Sequence, residues 1–419
     1  MAKKQTKFEF SKIGSIIDDI AKKTPITIEK EKKQADRIST GVYILNASMS
    51  GSIWGGVKGD AITVFAGPEA SGKSFLALNT CREAQHKDYG IIYIDTENSI
   101  ELGELSKFGI DDSNDKFYLI KTNKIEDINI TLTQLLDDLK EKKMKGAEIG
   151  KFMIVIDSLA QMASNKEKED LISGKLKQDM TKAKAIGSLF RSITIDLGYL
   201  EIPMIVNNQT YQTMDLFPQE IMKGGKSLYY SASNITFLGK SKLKTGKEDE
   251  NELQSGIKVK AKSIKNRQAK PKKVEFQIEF EEGCNPYIGL EMFCVPRFFD
   301  RIGIAKGKFK KFKKPQEIVD EETGEITLKE GEFEPGGNRW YVKHLGKSVW
   351  TKDLHTKEVF TDEVLNNIEP IANAYFKYKS LEEINEIEEE NKNQLSEEEE
   401  DFEEVDMDDL SAEDLFKDE

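Results

Sequence analysis

Ala61-Ile62-Thr63-Val64-Phe65-Ala66-Gly67-Pro68-Glu69-Ala70-Ser71-Gly72-Lys73-Ser74 joins an apolar run to a glycine-bearing loop, and Phe75 opens an alanine- and leucine-containing segment. The run is unbroken rather than alternating. It therefore reads as a strand buried on both faces of a parallel sheet, and the segment from Phe75 reads as a helix. Strand, glycine loop and helix is the order in which backbone N–H groups wrap phosphate oxygens, because glycine admits the close approach and the helix N-terminus adds its positive dipole. Gly67, Pro68, Glu69, Ala70, Ser71, Gly72, Lys73 and Ser74 are thus the expected cradle of a nucleoside triphosphate. Lys73 is expected to reach the β- and γ-phosphates and Ser74 to ligate magnesium.

Three later apolar runs end in polar residues. Ile91-Ile92-Tyr93-Ile94 leads into Asp95-Thr96-Glu97, Phe152-Met153-Ile154-Val155-Ile156 into Asp157-Ser158, and Met204-Ile205-Val206 into Asn207-Asn208-Gln209. Ligands of open parallel sheets lie beyond the carboxyl ends of the strands, so these tips should converge on the phosphates. Asp157 then suits the magnesium site, Glu97 a general base that orients water, and Gln209 a sensor of the γ-phosphate. Any one strand-end acid is equally explained as a helix cap; four coordinated tips are not.

The chain of 419 residues allows one large domain with smaller additions. No long apolar segment or signal-peptide pattern is present, so the expectation is a soluble, unexported protein without a membrane partner. Cys81, Cys284 and Cys294 are irregularly spaced, as are His86, His344 and His355, which argues against a disulfide framework or a zinc site and fits a reduced cytosol. The net charge of -13 is local. Between Leu381 and Glu419, 20 acidic residues face only Lys392 and Lys417, a balance of -18, which leaves the rest at +5. A mildly basic body with an acidic tail is therefore expected, the tail disordered and able to compete with nucleic acid or recruit a partner.

Along the chain, residues 1–37 read as an N-terminal segment whose stripe of Phe8, Phe10, Ile13, Ile16, Ile17 and Ile20 must pack on its own core or on a neighbouring copy. Residues 38–284 read as the α/β core that binds and hydrolyses a nucleoside triphosphate, 285–380 as a small α+β module with a basic run from Lys306 to Lys314 and a hairpin signal at Glu322-Thr323-Gly324-Glu325, and 381–419 as the tail. The core holds two polar interruptions, Ser164 to Lys177 and Thr210 to Lys226, which leave the sheet at the nucleotide edge. Lys175 and Lys177 in the first, and Tyr211, Met214, Phe217 and Lys223-Gly224-Gly225-Lys226 in the second, combine cations, stacking groups and glycines as a single-strand binder requires. Composition alone leaves plain solvated loops equally open.

With the motifs in hand, the sequence resembles the RecA-type recombinases and, within them, the branch found in tailed phages. Ile38-Ser39-Thr40-Gly41 and the phosphate loop look like the bacterial proteins; Asp179-Met180-Thr181-Lys182-Ala183-Lys184, Ser188-Leu189-Phe190-Arg191, Tyr230-Ser231-Ala232 and Asn285-Pro286-Tyr287 look like the phage branch. The resemblance implies a mostly parallel RecA-like P-loop core with an N-terminal oligomerisation segment. It also implies ATP and Mg2+ as ligands, a helical filament on single-stranded DNA, exchange with homologous duplex DNA, and mediator and single-strand-binding proteins as partners in a host cytoplasm. It makes Glu97 the catalytic glutamate, Asp157 the magnesium-associated aspartate and Gln209 the sensor, adds Lys184 and Arg191 to the DNA contacts, and gives Lys265 and Arg267 the role of reaching the ATP of an adjacent subunit. Where the family places an adenine-stacking tyrosine this chain has Glu104, and Tyr287 is the expected substitute. A ring-shaped replicative helicase shares the core and is the alternative.

Overall fold

The computed structural model describes Ile17 and residues 35–113, 115–174, 181–214, 217–243, 255–319 and 326–378, the side chains of 171, 313–319 and 326–330 excepted. The expected N-terminal segment and acidic tail fall almost wholly outside these residues. Contacts divide the chain into one compact unit, Met1–Phe376, and a second, Lys377–Glu419, of which only Lys377 and Tyr378 are described.

A short antiparallel pair, β1 (Arg37–Ile38) and β2 (Val57–Lys58), flanks helix α1 (Tyr43–Ser50). Strand and helix then alternate: β3 (Ile62–Gly67), α2 (Lys73–Gln85), β4 (Gly90–Asp95), β5 (Phe117–Lys121), α3 (Ile125–Met144), β6 (Phe152–Asp157), α4 (Asn165–Ile172), α5 (Thr181–Leu200) and β7 (Met204–Gln212). After β8 (Glu220–Met222) and α6 (Ser227–Ser231), the strands β9 (Asn234–Lys242), β10 (Gly256–Asn266), β11 (Lys273–Glu279) and β12 (Gly283–Cys284) follow. They form one sheet in the order β12-β11-β10-β9-β3-β7-β6-β4-β5, with β8 paired to β7. From β9 to β5 the strands are parallel; the wing from β9 to β12 is antiparallel.

The unbroken apolar run of β3 explains its central place, since each of its residues is buried between two layers. Successive strand residues point to opposite faces. Val64 and Ala66 accordingly join the cluster under α3 and α5, while Phe65 joins the one under α1 and α2. Strand β11 alternates buried with wetter positions, the single wet face its pattern predicts.

Residues after β12 add α7 (Phe299–Ile302), β13 (Ile304–Val319), β14 (Ile326–Val342), β15 (Lys347–Val349) and α8 (Asp362–Phe376). Strands β13 and β14 pair out to Val319 and Ile326, so the expected hairpin is present and its turn lies outside the described residues. Leu365, Ile368 and Phe376 of α8 share an apolar cluster with Ile44 and Leu45 of α1 and Phe276 of β11.

Two expectations need correction. The first interruption is not wholly a loop, since α4 occupies Asn165–Ile172; Glu167 N–H donates to Ser164 Oγ at 3.1 Å, an N-cap that starts a helix of almost purely polar residues. The second is a ribbon at its base: β7 continues past Gln209 to Gln212 and pairs with β8 through Thr210–Met222, Tyr211–Ile221 and Gln212–Glu220.

Candidate nucleotide and DNA site

Because β3, β4, β6 and β7 are parallel, their carboxyl ends share one edge of the sheet. Register aligns them residue by residue: Asp95 lies opposite Asp157, and Gly67 opposite Gln209. Lys73, the first residue of α2, is buried, and its Nζ donates to the carbonyl oxygens of Pro68 at 2.7 Å and Gly67 at 3.1 Å. Burial pushes its ammonium below the ordinary value, and the carboxylates of Asp157, Glu97 and Glu69 pull it back.

The loop between β3 and α2 has the features a phosphate group needs. Ser71 Oγ is buried without a hydrogen-bond partner. A Cβ on Gly67 would come 2.4 Å from the Leu238 carbonyl oxygen, and Gly72 at the helix N-terminus has φ of 90°, so both positions require glycine. Ser74 follows Lys73 on the first turn of α2. Among the described residues no group of three or more His, Cys, Asp and Glu is arranged to hold a metal. Ser74 offers a hydroxyl and Asp157 a carboxylate, donors of the kind that hold magnesium together with phosphate oxygens and water.

Sequence reasoning missed the residues that hold the acids. Tyr93 is fully buried and its hydroxyl donates to Asp157 Oδ2 at 2.7 Å; burial and the Asp157 charge push its phenol well above the usual value. Asp95 accepts the N–H groups of Glu97 at 3.0 Å and Ile100 at 2.9 Å, which fixes the turn that carries Glu97. Ser158 N–H donates to Thr96 Oγ1 at 2.8 Å, Thr96 Oγ1 donates to the Ser158 carbonyl at 2.7 Å, and Ser158 Oγ donates to the Glu97 carboxylate. Glu97 is thus held twice, its backbone N–H by Asp95 of β4 and its exposed carboxylate by Ser158 at the end of β6. One signal was available: Tyr93 is two residues before Asp95, on the same face of β4.

The DNA candidates cluster only in part. Lys175 and Lys177 lie outside the described residues. Tyr211, Met214 and Phe217 of the β7–β8 hairpin are exposed, as are Lys184 and Arg191 on α5 and Lys223 and Lys226 after β8. Gly224 and Gly225 have φ of 87° and 84°, and Cβ atoms there would sit 3.2 Å from Ile186 and 3.9 Å from Ala183. The glycine pair therefore lies against the start of α5, the helix that carries Lys184.

Lys265 and Arg267 stand elsewhere. Lys265 is level with Ile235 and hence with Val64; Arg267 N–H bonds to Ser233, whose own N–H bonds to Ile62. At about 3.3 Å per residue, Arg267 is about 16 Å along the sheet from Gly67, toward the opposite edge. Lys265 Nζ donates to the carbonyls of Tyr229 at 2.6 Å and Tyr230 at 3.0 Å, and Arg267 to that of Tyr230 at 3.3 Å. Tyr287 stacks on Phe360, with centroids 5.6 Å apart, and tilts against Tyr43. Glu104 is exposed and paired with Lys107. The histidines serve locally: His86 caps α2, and His355 Nε2 meets Glu291 Oε2 at 2.9 Å.

A glycine-lined loop between a central buried strand and a helix, with acids on the neighbouring tips, defines a P-loop ATPase. The RecA N-terminal domain family matches residues 11–285, and the chain belongs to the RecA family. It is similar to the recombination and repair protein of Enterobacteria phage T4, 29% identical over 342 residues that cover 81% of this chain and 80% of that one. It is similar also to protein RecA of Mycoplasmopsis pulmonis, 30% identical over 285 residues covering 66% and 77%, and to protein RecA of Sulfurovum sp., 31% identical over 268 residues covering 62% and 70%.

Proposed function

We infer that the chain is a DNA-dependent ATPase acting as a recombinase, which forms helical filaments on single-stranded DNA and exchanges strands with homologous duplex, with ATP and Mg2+ as its ligands. The observation that carries this reading is the convergence of Lys73, Glu97, Asp157 and Gln209 on one sheet edge in a chain of the RecA family. The family favours it over the ring-shaped helicase.

Lys73 meets the β- and γ-phosphates once their oxygens replace the loop carbonyls as its acceptors. Bound magnesium supplies charge neutralisation of the phosphates, with Ser74 and Asp157 as its protein partners. Glu97, steadied by Ser158, takes a proton from water aligned with the γ-phosphate. Gln209 reports whether that phosphate is present. Lys265 and Arg267 act on the ATP of the adjacent subunit; their distance from their own phosphate loop supports a site shared between copies, in which a cation supplied in trans is worth about 10^3- to 10^5-fold in rate. Tyr211, Met214 and Phe217 stack on or wedge between bases while Lys184, Arg191, Lys223 and Lys226 meet phosphates, with Lys175 and Lys177 proposed alongside them. Mediator and single-strand-binding proteins are proposed partners.

The test is strand exchange with ATP, coupled to mixing. Lys265→Ala with Arg267→Ala, and Lys73→Ala, should each lack DNA-stimulated turnover, and a mixture should regain part of it at junctions that pair an intact loop with an intact basic pair. Mixed filaments without activity at any ratio would refute the shared site. Closed rings on DNA in electron micrographs, with no strand exchange, would refute the recombinase.

A further inference from the structure

Gln209 is opposite Gly67 in register, yet its side chain is engaged elsewhere: its carboxamide oxygen accepts a hydrogen bond from Lys223 Nζ at 2.8 Å. Two more bonds tie Lys223 to the same strand. Its N–H donates to the Gln209 carbonyl at 3.0 Å, and Asn208 Nδ2 donates to the Lys223 carbonyl at 2.8 Å. The last two involve backbone and close the base of the β7–β8 hairpin. The first is open to solvent and joins the exposed Lys223 to the half-buried Gln209.

These bonds differ in how readily they exchange. A hydrated ammonium on a flexible stem changes partners easily, and a phosphate oxygen offers it a full charge where a carboxamide offers a dipole. The surroundings add repulsion: burial, with the nearby Lys223 charge, holds the Lys182 ammonium below its ordinary value against the pull of Glu167. Lys226 is exposed three residues on, across the glycine pair. An anion arriving here would draw Lys223 off Gln209 while the backbone bonds kept the hairpin in place.

We propose that Lys223 is a positioning residue that restrains Gln209 until nucleic-acid phosphates draw its ammonium away, so that occupancy of the hairpin is converted into turnover at the phosphate loop. The inference rests on Gln209 as the γ-phosphate sensor and on the hairpin as a DNA surface. It gives Lys223 a role of opposite sign to that of a plain phosphate contact. Loss of a plain contact weakens DNA binding and leaves DNA-free turnover alone; loss of a restraint raises DNA-free turnover.

Steady-state ATP turnover of the full chain, with and without single-stranded oligonucleotide, separates the two. Lys223→Met should raise DNA-free kcat about fivefold, the scale of one hydrogen bond to a charge screened by solvent, and shrink the stimulation by DNA correspondingly. Misfolding cannot produce that gain. Lys223→Arg, which keeps a charged donor, should return DNA-free kcat to the wild-type level. Unchanged DNA-free kcat in Lys223→Met, with or without weaker DNA binding, overturns the proposal, as does an equal rise in both variants. A wild-type chain whose turnover ignores DNA would instead overturn the underlying recombinase reading.

Discussion

The tips of β4 and β6 and the hairpin of β7 and β8 stand at the same edge of one sheet and are built in opposite ways. At the tips, Tyr93, Asp95, Asp157 and Ser158 are buried; Tyr93 bonds across to Asp157 and Ser158 to Thr96 and Glu97, while Asp95 ties down the turn after β4. On the hairpin, Tyr211, Met214 and Phe217 face solvent, and Phe217 is 79% exposed. The contrast follows from what each must do. Charge developing on a phosphate is best met by groups already fixed in a dry setting, so that nothing reorganises at the moment of reaction. A polymer of changing base sequence is best met by open cations and apolar groups whose partner arrives from outside. Gln209 belongs to both regions, and Lys223 ties it to the second.

The contrast breaks most completely at Lys73. Lys73→Ala should lower DNA-stimulated ATP turnover by about 10^3-fold, while urea denaturation changes little, because the hydrogen bonds of the ammonium go to carbonyls of its own loop. Retained turnover would remove the loop from the reaction. Glu97→Gln keeps the shape and removes the base. Turnover should fall about 100-fold, while binding of a fluorescent ATP analogue and assembly on DNA persist; lost nucleotide binding would count against the role.

What was legible in the sequence divides along the same line. Gly67, Gly72, Lys73 and Ser74 act through local backbone geometry, and β3 and α2 fall where the pattern puts them. The Tyr93–Asp157 bond spans 64 positions and the Ser158–Glu97 bond 61, separations at which no local pattern carries information. Helix α4 carries one sequence signal, the capping-box pattern Ser164-Asn165-Lys166-Glu167, of which the bond from Glu167 N–H to Ser164 Oγ is formed; its eight residues, apolar only at Leu171 and Ile172, lack the stripe that marks a helix. The paired part of the hairpin is three residues a side, too short for alternation to stand out beside Pro218 and its polar neighbours. That Lys265 and Arg267 sit toward the far edge follows from antiparallel β10, which the sequence marks only as a basic strand.

Tyr93→Phe sharpens the comparison on the buried side. Removing the hydroxyl leaves Asp157 Oδ2 short of a donor in a buried setting, a loss of about 2 kcal/mol in urea denaturation. Because the ring still packs against Phe117, the effect should come from the missing bond rather than from a cavity. A variant as stable as the wild type would mean that the buried lattice contributes rigidity without stability.

Phe217→Ala makes the same test on the open side and should give the smallest change. The ring is exposed and held by little, so denaturation should shift by less than about 0.5 kcal/mol, as for surface substitutions that touch no special feature. Affinity for single-stranded DNA, measured by fluorescence anisotropy at fixed salt, should fall by about 1 kcal/mol, or roughly fivefold. That is the low end of base stacking, because an exposed ring must be ordered when a base covers it. The salt dependence should not change, since no phosphate contact is removed. The opposite pattern, lower stability with unchanged affinity, would place Phe217 among the groups that hold the fold and erase the distinction between the two regions at this position.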